Sequence, residues 1–240
     1  MERLKSTLSR FPKARILDVG TGVGNFIPLL AETAGDFTSI LGIDQSENAV
    51  AAARRNFPDD PRIRFERMEA AAMTFPDAAF DVVALSNTLH HLQDPVPVFR
   101  AMERVLAPQG ILLINEMVSD GLDDRQVSHR ELHHFAAAVD TVLGIHHEET
   151  YTRVRIAEVL ARISTLAVVD AWDGVFPEGP EPSAEEVEQT AATVDRLLAR
   201  IKDENVRESL RERGETVKAY VRAHGFAGVT QRFTVLSRRP

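Results

Sequence analysis

Short apolar runs rich in branched residues alternate with stretches of helical periodicity through the first half of the chain. Residues 15–19, 39–44, 63–67, 81–86 and 110–116 read as strands. Residues 25–34, 47–56 and 96–106 read as helices, and Pro108-Gln109-Gly110 as a turn that launches the fifth strand. Alternation of this kind builds a parallel sheet with helices on its faces. Residues 166–172 and 228–238 supply two later strands, the first preceded by a helix over 153–163. The stretch between these two strands is far longer than a hairpin loop. It opens with a Pro/Gly-rich piece, 176–183, and then shows amphipathic helical patterns over 184–202 and 205–224. Val187, Ala191, Val194, Leu197, Leu198 and Ile201 fall on one stripe, so 177–225 is predicted to be an inserted helical pair. Such a pair could serve as a lid, a dimerisation surface or a packing layer.

The loop after the first strand carries the strongest chemical signal. Ile16-Leu17-Asp18-Val19 leads into Gly20-Thr21-Gly22-Val23-Gly24 and then into a helix. Glycines let the backbone turn sharply and approach a ligand closely, and the helix that follows aims its first amides at the same place. A dinucleotide-binding turn has a similar outline but requires a third glycine where Asn25 stands, and it has no standard use for Asp18 inside the strand. Asp44 ends the second strand some two dozen positions on, where a carboxylate can accept two hydrogen bonds from a vicinal ribose diol. It could instead cap the helix that starts near Ser46.

With its Asp-x-Gly-x-Gly-x-Gly motif at 18–24, the chain resembles the class I S-adenosylmethionine-dependent methyltransferases, in particular their small-molecule, UbiE-like branch. The resemblance extends through Met68-Glu69-Ala70, Phe75-Pro76-Asp77, Phe80-Asp81-Val82-Val83, Asn87-Thr88-Leu89-His90-His91-Leu92 and Arg104-Val105-Leu106 with Pro108 and Gly110. It covers roughly the first half of the chain. It implies a single domain over 1–240 with a Rossmann-like, seven-stranded mixed sheet, the last strand antiparallel, flanked by helices. It further implies S-adenosylmethionine as cofactor, held by Asp18, Gly20, Thr21, Gly22, Gly24, Asp44, Gln45, Glu69, Ala70 and Asn87. Of these, Asp18 would hold the loop and favour the methionyl ammonium, Asp44 would take the ribose, and Glu69 with Ala70 the adenine. Met68 or Met73 could pack on the adenine ring. The N-terminal helices that often cover this kind of site are expected to be missing, leaving 119–152 and the insertion as covers.

Composition narrows the acceptor. A net charge of −8 and a pI near 5.5 argue against a nucleic-acid partner and leave a small molecule. The absence of cysteine excludes disulfides, thiolate metal sites and thiol nucleophiles. No stretch is long and apolar enough to cross a membrane, and the first residues lack the apolar core of a signal peptide, so a cytoplasmic location is expected. Of eight histidines, His90, His91, His129, His133, His134, His146 and His147 all lie in one region. His90 follows the fourth strand, whose end borders the ligand crevice in this fold. His129 and His133, four apart on a helix, project from one face. His90, His129 and His133 are therefore candidate bases or substrate contacts, and Glu116 and Tyr151 could also face the substrate. Glu116 could equally cap a helix or pair with Arg125. His129, His133 and His146 form a candidate set of ligands for a divalent metal. A metal-assisted or non-methylating enzyme and a non-catalytic cofactor-binding module are the alternatives, and a homodimer is compatible with the sequence.

Overall fold

The computed structural model describes residues 1–174 and 181–238. Residues 176–180 of the Pro/Gly-rich piece, and with them the start of the insertion, lie outside the described residues. Seven strands form one sheet: β1 (Arg15–Val19), β2 (Ser39–Asp44), β3 (Ile63–Arg67), β4 (Phe80–Ser86), β5 (Leu106–Met117), β6 (Ala167–Gly174) and β7 (Gln231–Ser237). Their order is β3-β2-β1-β4-β5-β7-β6. The first five strands of that order pair in parallel, whereas β7 runs antiparallel to both β5 and β6. The chain thus winds outward from β1 through β2 to β3, then crosses back to place β4 on the other side of β1. The crevice beyond the carboxyl ends of β1 and β4 is where an open α/β sheet binds its ligands.

Alternating side chains of the central strands bury both faces. Leu17, Val19, Val83, Leu85, Leu112 and Ile114 point to one side. There they meet Phe99 and Met102 of α4 (Pro95–Val105) and Ile156 and Leu160 of α6 (Arg153–Ile163). Ile16, Ile40, Val82, Ala84, Ile111 and Leu113 point to the other side. That face is covered by α1 (Glu2–Leu8), α2 (Ile27–Ala34) and α3 (Glu47–Asn56). The helix α1 departs from the sequence expectation: Leu4 and Leu8, one turn apart, are 1% exposed and give it an apolar face to bury. The expected turn at 108–110 is also modified. Partners advance from Phe80 to Val82 on β4 while β5 advances from Leu106 to Ile111, so the turn residues form an irregularity inside a longer strand.

A third apolar cluster stands apart from the sheet. The helix α5 (Asp124–Val142) opens on a capping box in which Asp123 and Gln126 each bond the other's backbone amide. Its Phe135 and Val139 pack against Ala191, Val194, Leu198, Ile201, Val217 and Val221. Those residues belong to α7 (Ala184–Ala191), α8 (Thr193–Leu198) with the turn after it, and α9 (Glu204–His224). Among the described residues the expected helical pair is therefore three helices. The first pattern breaks at Ala192, where the Gln189 carbonyl is taken by the Arg196 and Thr193 side chains. The predicted stripe is retained across the break, with Val187 and Leu197 at the margin of the cluster. Among the described residues, no helix is long and apolar enough to cross a membrane.

Gly214 is what lets α9 come close to its neighbours, because a Cβ there would lie 2.8 Å from Val194 Cγ1 and 3.1 Å from the Phe135 ring. Gly214→Val is expected to lower unfolding stability by about 1–3 kcal/mol through overpacking. Urea denaturation followed by circular dichroism checks this, and an unchanged midpoint would contradict the close packing.

Candidate functional site

After β1 the backbone passes through Gly20, Gly22 and Gly24, all with positive φ (69°, 55° and 89°). At Gly20 a Cβ would collide with Thr88, at 2.5 Å from Cγ2, so the loop is clamped against the segment that follows β4. At Gly22 nothing lies within 4 Å of the Cβ position, and the loop is open to a cavity. The Gly22 amide donates to Asp44 Oδ2 at 2.9 Å, while the Ser46 amide donates to Oδ1 at 2.8 Å. Asp44 thereby ties the glycine loop to the end of β2. Ser46, not Asp44, caps α3 with its side chain, accepting from the Ala49 amide. A carboxylate has about four acceptor positions, so Asp44 retains capacity toward the cavity.

The cavity has a volume of about 380 Å³ and lies at the carboxyl ends of β1, β2 and β4. Seven of the sequence-predicted cofactor residues line it: Gly20, Gly22, Asp44, Gln45, Glu69, Ala70 and Asn87. Met68 is in its wall, whereas Met73 is in the core beneath. Asp18, Thr21 and Gly24 are not part of its lining. Val19, Ile43, Thr88, His91, Leu92 and Ile145 complete the lining beside His146. Thr88 was not among the predicted site residues; its hydroxyl reaches the Ser86 carbonyl at 2.8 Å and the Gly20 carbonyl at 3.3 Å. Asn87 adopts a φ of 46°, a left-handed conformation that asparagine tolerates better than most residues. Its side-chain oxygen accepts from the Met117 amide, which fastens the end of β4 to β5. The segment that follows Glu69 and Ala70 is braced by Arg104. Arg104 donates to the carbonyls of Met73 and Phe75 and to the Asp77 carboxylate, at 2.7, 2.6 and 2.9 Å.

Asp18 is 1% exposed, and neither of its oxygens has a hydrogen-bond partner. Burial pushes its carboxyl up to about 7. The Thr21 hydroxyl offsets part of that shift from a position outside hydrogen-bond geometry, and the Asp44 charge adds to it. An acid kept this costly in the folded chain is suited to a cationic ligand group at the loop.

The structure regroups the histidines. His90 is fully buried, with Nδ1 at 2.5 Å from Glu116 Oε1, while the other Glu116 oxygen accepts from the Leu89 amide at 3.0 Å. Glu116 therefore neither lines the cavity nor pairs with Arg125; it accepts the first amide of the short helical turn Leu89–His91 and so orders the segment after β4. His133 Nε2 lies 3.1 Å from His90 Nε2 and 3.0 Å from His147 Nε2. Burial and the adjacent imidazoles hold His133 down to about 2. His129 turns away from this group: its Nδ1 faces the Ala227 carbonyl at 3.3 Å and its ring stacks on Phe226. His146 stands in the cavity wall. The predicted trio His129, His133 and His146 is thus not brought together; His133 joins His90, His91 and His147 instead. His134 bonds Thr150, and Tyr151 bonds Glu148.

Residues 17–114 match the family described as a methyltransferase domain. Over 120 residues the chain is 35% identical to the 27-O-demethylrifamycin SV methyltransferase of Amycolatopsis mediterranei, covering 49% of this chain and 43% of that protein. Over 116 residues it is 34% identical to the 2-methyl-6-phytyl-1,4-hydroquinone methyltransferase of Synechocystis, covering 48% of this chain and 35% of that one. The chain thus spans less than half the length of these curated relatives. Among solved structures, a methyltransferase-like protein from Bacillus halodurans superposes with a TM-score of 0.60 at 17% identity over 98% of this chain and 95% of that one, a likeness of fold. The glycine loop, the sheet order and the methyltransferase domain matched over residues 17–114 together support a class I S-adenosylmethionine-dependent methyltransferase.

Proposed function

We propose that the protein transfers a methyl group from S-adenosylmethionine to a small-molecule acceptor in the cytoplasm, the whole chain acting as one domain with 119–152 as its cap. The observation that carries this is the cavity over Gly22, with acceptors Asp44 and Glu69 on its wall and the unpartnered Asp18 in the strand that leads into its loop. Those groups fit the cofactor. Asp44 would take the ribose hydroxyls; Glu69 and the Ala70 backbone would take the adenine, with Met68 against it. Asp18 and the glycine loop would hold the methionyl end. When bound, the cofactor supplies a methyl group already activated on a sulfonium. What the chain's own residues add is alignment, exclusion of water and proton management. Leu92 and Ile145 give the cavity an apolar side, and His91 and His146 offer ring nitrogens there for an acceptor proton. His90 and Glu116 act as positioning residues, since their bond fixes the turn that carries His91. The net charge of −8 supports a small-molecule acceptor over a nucleic acid. The histidines beside the cavity are also the place for a divalent cation.

Calorimetry with S-adenosylhomocysteine is expected to show one site per chain, and Asp44→Ala to weaken it about ten- to hundredfold, the worth of hydrogen bonds to a charged group. No binding at high micromolar ligand would sink the assignment. The affinity should also depend on pH in a defined direction. With a pKa of about 7, Asp18 is largely protonated at pH 6 and ionised at pH 8, and only the carboxylate attracts the amino acid's ammonium. The dissociation constant is expected to rise about tenfold as pH falls from 8 to 6, and Asp18→Asn to flatten that profile. A pH-independent affinity in the parent chain would remove Asp18 from this role.

A further inference from the structure

We propose that His90, His133 and His147, with His91 at the edge of the cavity, form a binding site for one divalent transition-metal ion. Each of the four offers a ring nitrogen, and these atoms all lie within 4.8 Å of one another. They come from three parts of the chain: the turn after β4, the middle of α5 and the segment following α5. No short motif announces them.

The argument rests on counting protons. His90 Nδ1 faces Glu116 at 2.5 Å and His147 Nδ1 faces Asp140 at 2.7 Å. Carboxylates only accept, so both rings carry their proton on Nδ1 and turn an Nε2 lone pair inward. Both lone pairs meet the same atom, His133 Nε2, at 3.1 and 3.0 Å. His133 can donate one proton from that atom, which serves one neighbour and leaves the other facing it unpaired. His90 is buried completely and His147 is 8% exposed, so solvent does little for the deficit. A cation between the three nitrogens satisfies all of them together. With metal–nitrogen bonds of about 2.0–2.1 Å, neighbouring ligand atoms stand about 2.9 Å apart in octahedral and about 3.4 Å apart in tetrahedral coordination. The observed 3.0 and 3.1 Å separations lie between these values.

The surroundings are those that metal-binding imidazoles use. A carboxylate on the far nitrogen fixes the tautomer and raises ligand basicity. Two such carboxylates are present, and each is itself held. Glu116 also takes the Leu89 amide, and Asp140 is bonded by Arg200 from the turn after α8 at 2.6 Å. The inserted helices thereby reach the outer shell of the site. An all-imidazole donor set suits zinc, iron(II), cobalt or nickel and is a poor match for magnesium or calcium. Because His91 belongs both to the cluster and to the cavity wall, the ion would adjoin the cofactor. Resting on the methyl-transfer reading above, its task would be to hold an oxygen or nitrogen of the acceptor there.

The test is titration of the full chain, stripped with chelator, with cobalt(II) followed by visible absorption and with zinc(II) by calorimetry. One equivalent is expected to bind, with d–d bands of a nitrogen-rich site of low coordination number and a zinc-dependent rise in Tm. His133→Ala and His147→Ala should each abolish stoichiometric uptake. His129→Ala and His146→Ala should leave it unchanged, and Asp140→Asn should weaken it about ten- to hundredfold. Circular dichroism verifies folding, and His133, half-buried on α5, is the variant least exposed to misfolding. Failure of the folded parent to take up either metal, or equal uptake by folded His133→Ala, overturns the site. S-adenosylhomocysteine binding measured on the same samples separates the two claims. Metal uptake without that binding supports the site and removes the methyl-transfer reading, and the reverse result overturns the site alone.

Discussion

Everything at the functional end of this molecule depends on β1 having neighbours that lead the chain in opposite directions. β2 lies on one side and β4 on the other, both parallel to it, so the loops leaving their carboxyl ends diverge instead of closing over the sheet. The gap is filled by backbone only as far as glycine permits. Gly20 presses against Thr88, and Gly22 leaves open space next to Asp44. A side chain at either position would close the crevice or displace one of its walls, which is why the loop composition and the strand order form a single constraint.

Polar groups around the crevice divide into those that are used up by the fold and those left for a ligand. Arg104 spends its donors on the carbonyls of Met73 and Phe75 and on Asp77, and Glu116 spends both oxygens on Leu89 and His90. The Glu116 contacts are fully buried and the Arg104 contacts are partly exposed, and both are charge-assisted. Asp18, by contrast, has neither oxygen paired, at a cost in desolvation that the rest of the core must offset. The acidic character of the site, with Asp18, Asp44 and Glu69 near one loop, matches a ligand that carries positive charge.

The helices outside the sheet have their own reason to exist. α5 turns Phe135 and Val139 toward α7, α8 and α9, and His133, two residues before Phe135, toward the sheet end. The inserted helices thus cover the outer side of α5, and through Arg200 and Asp140 they also orient His147. Packing on one face of α5 and polar order on the other are coupled, because α5 cannot shift without disturbing both.

Much of this was legible in the chain. The boundaries of β1, β2, β3, α3 and α6 follow from local periodicity, and the glycine loop with Asp44, Glu69 and Ala70 follows from residues whose roles depend on backbone conformation and short spacing. Such features are local, so sequence records them directly. The break between α7 and α8 was not legible, because the apolar stripe runs across it without interruption. Nor was the histidine group. Four-residue spacing paired His129 with His133, yet a helix face can point at any of several neighbours, and here Phe226 takes the one and His90 the other. His90, His133 and His147 meet only because α5 is seated across the end of β4, and that seating is decided by apolar contacts among helices far apart in sequence. What the sequence determined alone was the sheet, the loop and the cofactor class. Which histidines converge, and what Glu116 holds, were decided by tertiary packing, since nothing within a few residues of any of these side chains specifies its partner.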